Sequence, residues 1–270
     1  MNIIEMENGS FSYGKREIFH NIELKIEEGQ CLCIMGRNGC GKSTLLDSLL
    51  GINRLNKGSI LVRGKDLSTM KSRELAKYIS YVPQIPEKTF PYTVREMVLM
   101  GRTVHAGFLG RYAEEDYRIV DHMMEKLGIS SLSQRCCTEL SGGEVQMIML
   151  ARALSQETDI IIMDEPTAHL DYYNEMVFLE TTAEMVREEN KTVVMATHSP
   201  NQAFFLEKRV PSVEAALMNH GRIAMVGKPC QVLSSENIRN TYSIEAEILE
   251  GLGQKIIMPL STAGYKDGRF

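Results

Sequence analysis

The sequence has no long apolar run. Its most hydrophobic stretches, such as CLCIM at 31–35 and IIIM at 160–163, have the length of a strand and fall far short of the ~18 residues a spanning helix needs. Positive charge is not in excess either. Thirty Lys and Arg against 35 Asp and Glu give a formal net charge of -5 and a pI near 5.8, so nothing draws the chain as a whole toward nucleic acid. The six cysteines, Cys31, Cys33, Cys40, Cys136, Cys137 and Cys230, contain no C-x-x-C spacing, and the six histidines form no ligand-spaced pair. That excludes the common zinc and dithiol frameworks and leaves free thiols as the expectation. With no internal repeat and no heptad run, solenoids and coiled coils are set aside. The start, MNIIEMENG, carries acids where a secretory leader has a basic end and an apolar stretch, so a cytosolic chain is expected.

What is present suffices for a sizeable core: 270 residues, 43% of them hydrophobic. The 17 methionines scatter through helical segments, as gap-filling side chains do. Residues 1–84 read as short strands broken by turns, with one strand-to-helix step at 31–51. From about 85 to 158 the pattern is helical, through TVREMVLMGR, EEDYRIVDHMMEKLG and ELSGGEVQMIMLARAL; strand and helix alternate again from 159 to 206. That order suggests a parallel-sheet core with a helical insertion. After 212, AALMNHGRIAMVG reads as a hairpin, followed by a helix.

Chemistry concentrates at four strand ends. CLCIMGRNGCGKSTLLDSLLG reads as strand, glycine-rich loop and helix, and Gly36 to Ser43 match G-x-x-x-x-G-K-[ST]. In such a loop the backbone N–H groups of Gly36, Arg37, Asn38, Gly39, Cys40 and Gly41 wrap a nucleotide β-phosphate. Lys42 reaches the β- and γ-phosphates, Ser43 ligates Mg²⁺ and Thr44 continues the segment. Cys40 stands beside a helix N-terminus, which favours its thiolate. In TDIIIMDEPTAHLD a buried strand delivers Asp164 and Glu165 to its carboxyl end, where ligands of parallel sheets gather. Asp164 would hold the magnesium through a hydration water, and Glu165 would orient and polarise the attacking water. ISYVPQ ends at Gln84, suited to sensing magnesium or water, and TVVMATH ends at His198, suited to donating to a γ-phosphate. Tyr13 could stack on adenine or be an ordinary strand aromatic.

A fifth stretch, LSGGE at 140–144, sets two glycines at the start of a long apolar helix, where each costs about 1 kcal/mol against alanine. Ser141 and Glu144 fit a capping box. The glycines are not explained by it, but bare positions at a helix N-terminus let a bulky anion approach.

In order, GRNGCGKST, YVPQ, LSGGE, IIIMDEPTAHLD and ATHS resemble the Walker A, Q-loop, signature, Walker B with D-loop, and switch histidine of ABC-type ATPases, across about residues 3–245. The resemblance implies an α/β fold: a P-loop NTPase core with a mostly parallel sheet, an N-terminal antiparallel β subdomain and an α-helical subdomain inserted at about 85–158. The ABC ATPase domain would run over 1–245, with a C-terminal extension at 246–270. It further implies ATP and Mg²⁺ as cofactors, with Ser43, Gln84 and Asp164 at the metal and Glu165, His198 and Gln84 in catalysis. Two copies would meet head to tail, the Ser141, Gly142, Gly143 and Glu144 of one, with Asp171, serving the ATP on the other's P-loop. Segments around 91–129 and 226–249 are similar to the ATPase subunits of importers for ferric siderophores, haem and cobalamin. A homodimer on the cytoplasmic face of the membrane is therefore expected, bound to permease subunits, served indirectly by a substrate-binding protein and without nucleic acid. A soluble ABC ATPase of iron–sulfur cluster or cofactor assembly is the alternative. Glu144 and Val145 stand where glutamine and a basic residue are commoner, Ser199 follows the histidine in place of aspartate, and Pro211 is unusual.

Overall fold

The structure is a computed structural model that describes residues 1–84, 91–106, 110–251 and 253–263. Two sheets and a hairpin organise it. β1 (Asn2–Tyr13), β2 (Arg16–Glu27), β4 (Lys57–Val62) and β5 (Lys65–Asp66) form an antiparallel sheet in the order β2-β1-β4-β5. The central sheet takes β3 (Cys31–Met35), β6 (Ile79–Val82), β7 (Ile160–Asp164), β8 (Thr192–Thr197), β9 (Val213–Asn219) and β10 (Arg222–Gly227), ordered β10-β9-β3-β8-β7-β6. All its pairs are parallel except β9 with β10, the hairpin expected around His220 and Gly221.

The helices are α1 (Lys42–Leu49), α2 (Ser72–Leu75), α3 (Val94–Leu99), α4 (Glu114–Lys126), α5 (Gly142–Ser155), α6 (Tyr172–Glu188), α7 (Pro200–Glu207), α8 (Pro229–Val232) and α9 (Ser235–Tyr242). A last hairpin pairs β11 (Ile244–Gly251) with β12 (Gln254–Thr262).

Strands β3, β7 and β8 are buried at every position, the near-continuous apolar reading of a sheet covered on both faces. Their alternation still matters. Cys31, Cys33, Met35, Ile161, Met163, Val193 and Met195 enter one core, with the helices α3–α7. Leu32, Ile34, Ile160, Ile162, Val194 and Ala196 enter a second, shared with α1 and the N-terminal sheet. The period of 2 along a strand divides the molecule into two cores on one partition.

α5 is apolar nearly all round: Val145 to Ala151 are all buried, and the helix packs on α3, α4, α6 and β6, as such a helix must. The helix read in TVREMVLMGR stops at Leu99 and tightens into a 3₁₀ turn over Met100–Val104. A Cβ on Gly101 would stand 2.2 Å from the Arg152 carbonyl oxygen of α5, so the turn packs against the helix at backbone distance. Next to it the buried Arg102 donates to Asp116 Oδ1 at 2.8 Å, the Ser155 carbonyl at 2.6 Å and Glu157 at 2.7 Å. These bonds compensate a charge that would be costly if buried alone.

Candidate functional site

The carboxyl ends of β3, β6, β7 and β8 meet in one cleft. β3 leads into the loop at Gly36, whose Cβ, if it had one, would lie 2.2 Å from the Met218 carbonyl oxygen and 2.8 Å from Cys40 Sγ. Only glycine passes there. The loop delivers the chain into α1, whose N-terminus has no side-chain cap and no acidic residue in its first turn. Its N–H groups and positive dipole end are thus directed at the loop's concave side, where an anion is favoured.

An open cleft of about 470 Å³ is lined by Tyr13, Arg16, Ile18, Asn38, Gly39, Gly41, Lys42, Ser43, Thr44, Gln84 and Glu165. Nine of the residues singled out from the sequence are therefore gathered in one place. At its floor Lys42, 5% exposed, donates to the Gly36 carbonyl at 3.0 Å and stands 3.5 Å from Glu165 Oε1. Gln84 Nε2 donates to Glu165 Oε2 at 2.8 Å, and His198 Nδ1 lies 3.7 Å from the same oxygen. Two strand ends and the loop lysine converge on the carboxylate that a third strand end carries. Glu165 itself adopts φ 42°, a left-handed backbone that bulky side chains avoid.

Asp164, 6% exposed, sits one residue earlier. Burial raises its carboxyl above the ordinary range, aided by the charges of Glu165 and Asp47, while a hydrogen bond from Ser43 and the charge of Lys42 oppose the rise. Its Oδ1 is buried without a hydrogen-bond partner among the described residues. An orphaned carboxylate oxygen beside a serine hydroxyl fits a small, hard divalent cation, which takes oxygen ligands.

Several expected residues lie elsewhere. Arg37 turns away from the cleft, its guanidinium 3.4 Å from Ser243 Oγ at the end of α9. Tyr13 stands at the rim, 53% exposed, edge-on to Phe11 and accepting from Asn53 at 3.2 Å. Cys40 differs from expectation: burial pushes its thiol up, and the opposing charge of Lys42 does not offset it. The helix-terminus argument fails because the sulfur is partly buried, close against Gly36 of the loop, and desolvation outweighs the nearby charge.

Ser141, Gly142, Gly143, Glu144 and Asp171 do not line this cleft. The capping box is complete: Ser141 Oγ accepts from the Glu144 N–H at 3.3 Å, and Glu144 Oε2 accepts from the Ser141 N–H at 2.8 Å. Asp171 caps α6, accepting from the Asn174 N–H at 2.8 Å. The glycines acquire a neighbour that the sequence reading missed. A Cβ on Gly143 would approach the His169 carbonyl oxygen to 3.2 Å, and one on Gly142 would meet the His169 Cβ at 3.6 Å. The loop after Glu165 thus rests on the start of α5. Farther along α5, Gln146 Nε2 donates to the Pro83 carbonyl at 2.9 Å, adjoining Gln84. Neither contact has a local sequence signal beyond the adjacency of two small residues.

Comparison with known proteins agrees with this geometry. The family model described as "ABC transporter" matches residues 19–168. An uncharacterized ABC transporter ATP-binding protein of Haemophilus influenzae is 34% identical over 92% of each chain. The iron(3+)-hydroxamate import ATP-binding protein FhuC of Bacillus subtilis is 32% identical over 92% of this chain and 91% of its own. Molybdate import ATP-binding protein MolC of Haemophilus influenzae is 34% identical over 89% and 88%. Among solved structures, an ABC transporter described as of the metal-chelate type, in an inward-facing conformation, superimposes with a TM-score of 0.81 at 31% identity over 96% of this chain and 98% of that one.

Proposed function

The chain belongs to the ABC transporter family and is one of its ATP-binding, ATP-hydrolysing cassettes, and from that premise we propose that it energises the uptake of a metal chelate through a separate membrane permease. No helix among the described residues is long and apolar enough to cross a membrane, so the reading places the chain as a peripheral subunit on the cytoplasmic face. The observation that carries the catalytic half is the convergence of Lys42, Gln84 and His198 on Glu165.

In this reading the loop amides and Lys42 hold the phosphates of ATP, and Ser43, Asp164 and Gln84 would hold Mg²⁺. The ion would neutralise charge that develops between the β- and γ-phosphates. The buried Lys42 and the half-buried Glu165 are counterions of each other before nucleotide binds. Once phosphate takes the ammonium, Glu165 loses its counterion and is available as acceptor for a proton of the attacking water, with His198 donating toward the γ-phosphate. Ser141 and the amides of Gly142 and Gly143 of a second copy would close the site from across a homodimer interface, with Glu144 and Asp171 holding the ends of α5 and α6. Tyr13 at the rim is placed to meet the adenine.

The transport half rests on relatives at similar identity whose named cargoes differ: hydroxamate-bound iron in one, molybdate in another. Cargo selection therefore belongs to the permease and its binding protein. Affinity purification of the chain from its native membranes, followed by reconstitution, tests the reading. A membrane permease should co-purify, and ferric chelate with its binding protein should stimulate ATP hydrolysis. Recovery of a soluble assembly scaffold with no permease would overturn import.

A further inference from the structure

Behind the cleft lies a buried hydrogen-bond cluster centred on a residue outside every motif. Gln202, in the first turn of α7, is 3% exposed. Its Oε1 accepts from Thr197 Oγ1 at 2.6 Å, and its Nε2 donates to Thr167 Oγ1 at 2.7 Å and to Glu175 Oε1 at 2.7 Å. Thr197 Oγ1 also accepts from the Ser199 N–H at 3.0 Å. Both amide hydrogens and the carbonyl of Gln202 are thereby used. A flipped amide would set its oxygen against the Glu175 carboxylate, so the orientation is fixed by chemistry.

The positions of these partners matter. Thr197 and Ser199 flank His198, whereas Thr167 stands two residues after Glu165 in the turn closed by the Ala168 N–H to Glu165 carbonyl bond at 3.2 Å. The His198 side chain is 54% exposed and meets Glu165 only at 3.7 Å. Little around the ring fixes where it stands, and the backbone on either side of it must do so. That backbone is tied, through one amide, to the turn that carries the carboxylate.

We propose that Gln202 is a positioning residue for hydrolysis: it clamps the segment bearing His198 to the turn after Glu165, through Thr197 and Thr167, with Glu175 orienting its amide. This rests on the catalytic reading of Glu165 and His198 and adds the group that sets their relative position. Buried networks of this kind are satisfied as a unit or not at all.

The test uses steady-state ATP hydrolysis by the purified full chain, ATP binding by equilibrium titration, and melting temperature. Gln202→Glu places a carboxylate against Glu175 and should lower kcat on the order of tenfold, the worth of one charge-assisted hydrogen bond, with ATP affinity within about twofold. Adding Glu175→Gln restores a donor opposite the new carboxylate, and Thr167 and Thr197 can both turn their hydroxyl hydrogens toward it, so Q202E/E175Q should recover most of the rate. In a His198→Ala background Gln202→Glu should cost little more, because residues acting as one unit are not additive. A Q202E rate equal to wild type, a loss that follows the melting temperature, no recovery in the double variant, or a full additional loss in the H198A background would overturn the clamp while leaving the catalytic reading intact. If His198→Ala itself hydrolyses at the wild-type rate, the catalytic reading fails and the clamp with it.

Discussion

At the scale of single residues, the cleft sets two acids side by side with opposite surroundings. Glu165 has Lys42, Gln84 and His198 about it, whereas Asp164 is buried with one oxygen unpartnered. A carboxyl whose folded-state affinity for protons is raised binds more protons folded than unfolded in the interval between its two pKa values. Stability therefore falls as pH rises from the ordinary carboxylate range through the raised folded value of Asp164. Above it the folded protein holds a buried charge that Ser43 and Lys42 compensate only in part. Asp164→Asn should accordingly raise the melting temperature of the metal-free protein at neutral pH by roughly 2–4 °C, the shift that about 1 kcal/mol produces in a chain of this size. The same variant should lose the stabilisation that magnesium nucleotide gives the parent. Thermal melts with and without Mg-ATP decide it, and a lower melting temperature without metal would show that the buried carboxylate is already compensated. Residue identities in the cleft were legible in the sequence because the loop motif and the strand-end acids are contiguous in the chain. The state of Cys40 was not, since burial is a property of what packs around it, here a core assembled from distant segments of the chain.

At the scale of elements, the start of α5 answers for its two glycines in two ways. Gly143 meets the His169 carbonyl of its own chain at a distance where an added methyl must displace backbone, while at Gly142 the methyl would meet only the His169 side chain at ordinary contact. Gly142→Ala should therefore fold at least as stably, gaining up to about 1 kcal/mol of helix propensity. If amides at this terminus are lent to nucleotide on another copy, it should nonetheless slow hydrolysis by up to ~10²-fold. Gly143→Ala should do both harms, losing stability and rate. Denaturation and turnover measured on the pair check this; full activity in Gly142→Ala would remove the reason for an exposed glycine. The capping box was legible from Ser141 and Glu144 alone, because its partners are three residues apart. The rest of the neighbourhood was not: His169 against Gly143, Gln146 against Pro83 and Gln202 among three hydroxyl and carboxylate groups join segments that only the fold brings together. The tightening after Leu99 escaped for a similar reason, since the apolar pattern runs on through Met100 and only the backbone of α5 next to Gly101 stops it.

On the scale of the whole molecule, Gln84 and Glu165 line one cleft with the phosphate loop, His198 stands 3.7 Å from Glu165, and the signature residues of the same chain stay outside it. On the proposed function such a chain holds half of a site. Glu165→Gln keeps the amide-accepting shape of the side chain but removes the proton acceptor, so it should bind ATP and slow hydrolysis by about 10²- to 10⁴-fold. Held in that state, the protein should run at twice its 30.4 kDa mass with Mg-ATP and as a monomer with ADP. Size-exclusion chromatography with light scattering measures this, and a strictly monomeric Glu165→Gln at saturating ATP would sink the shared site. The α/β class and the parallel core could be read from alternating strand and helix patterns. The long β1, with its irregular registers, and the pairing of β11 with β12 could not, because strand pairing is decided by partners and not by local pattern.

The bond from Gln146 to the Pro83 carbonyl has a mechanical meaning. Pro83 has no N–H to donate, so this carbonyl is the group through which the peptide before Gln84 grips the long helix of the neighbouring lobe. If, as proposed, Gln84 leaves Glu165 to face a metal or a water, this bond ties the movement of that segment to α5. In the proposed dimer, an event at the phosphate end would thereby be felt at the helix start that faces the second copy.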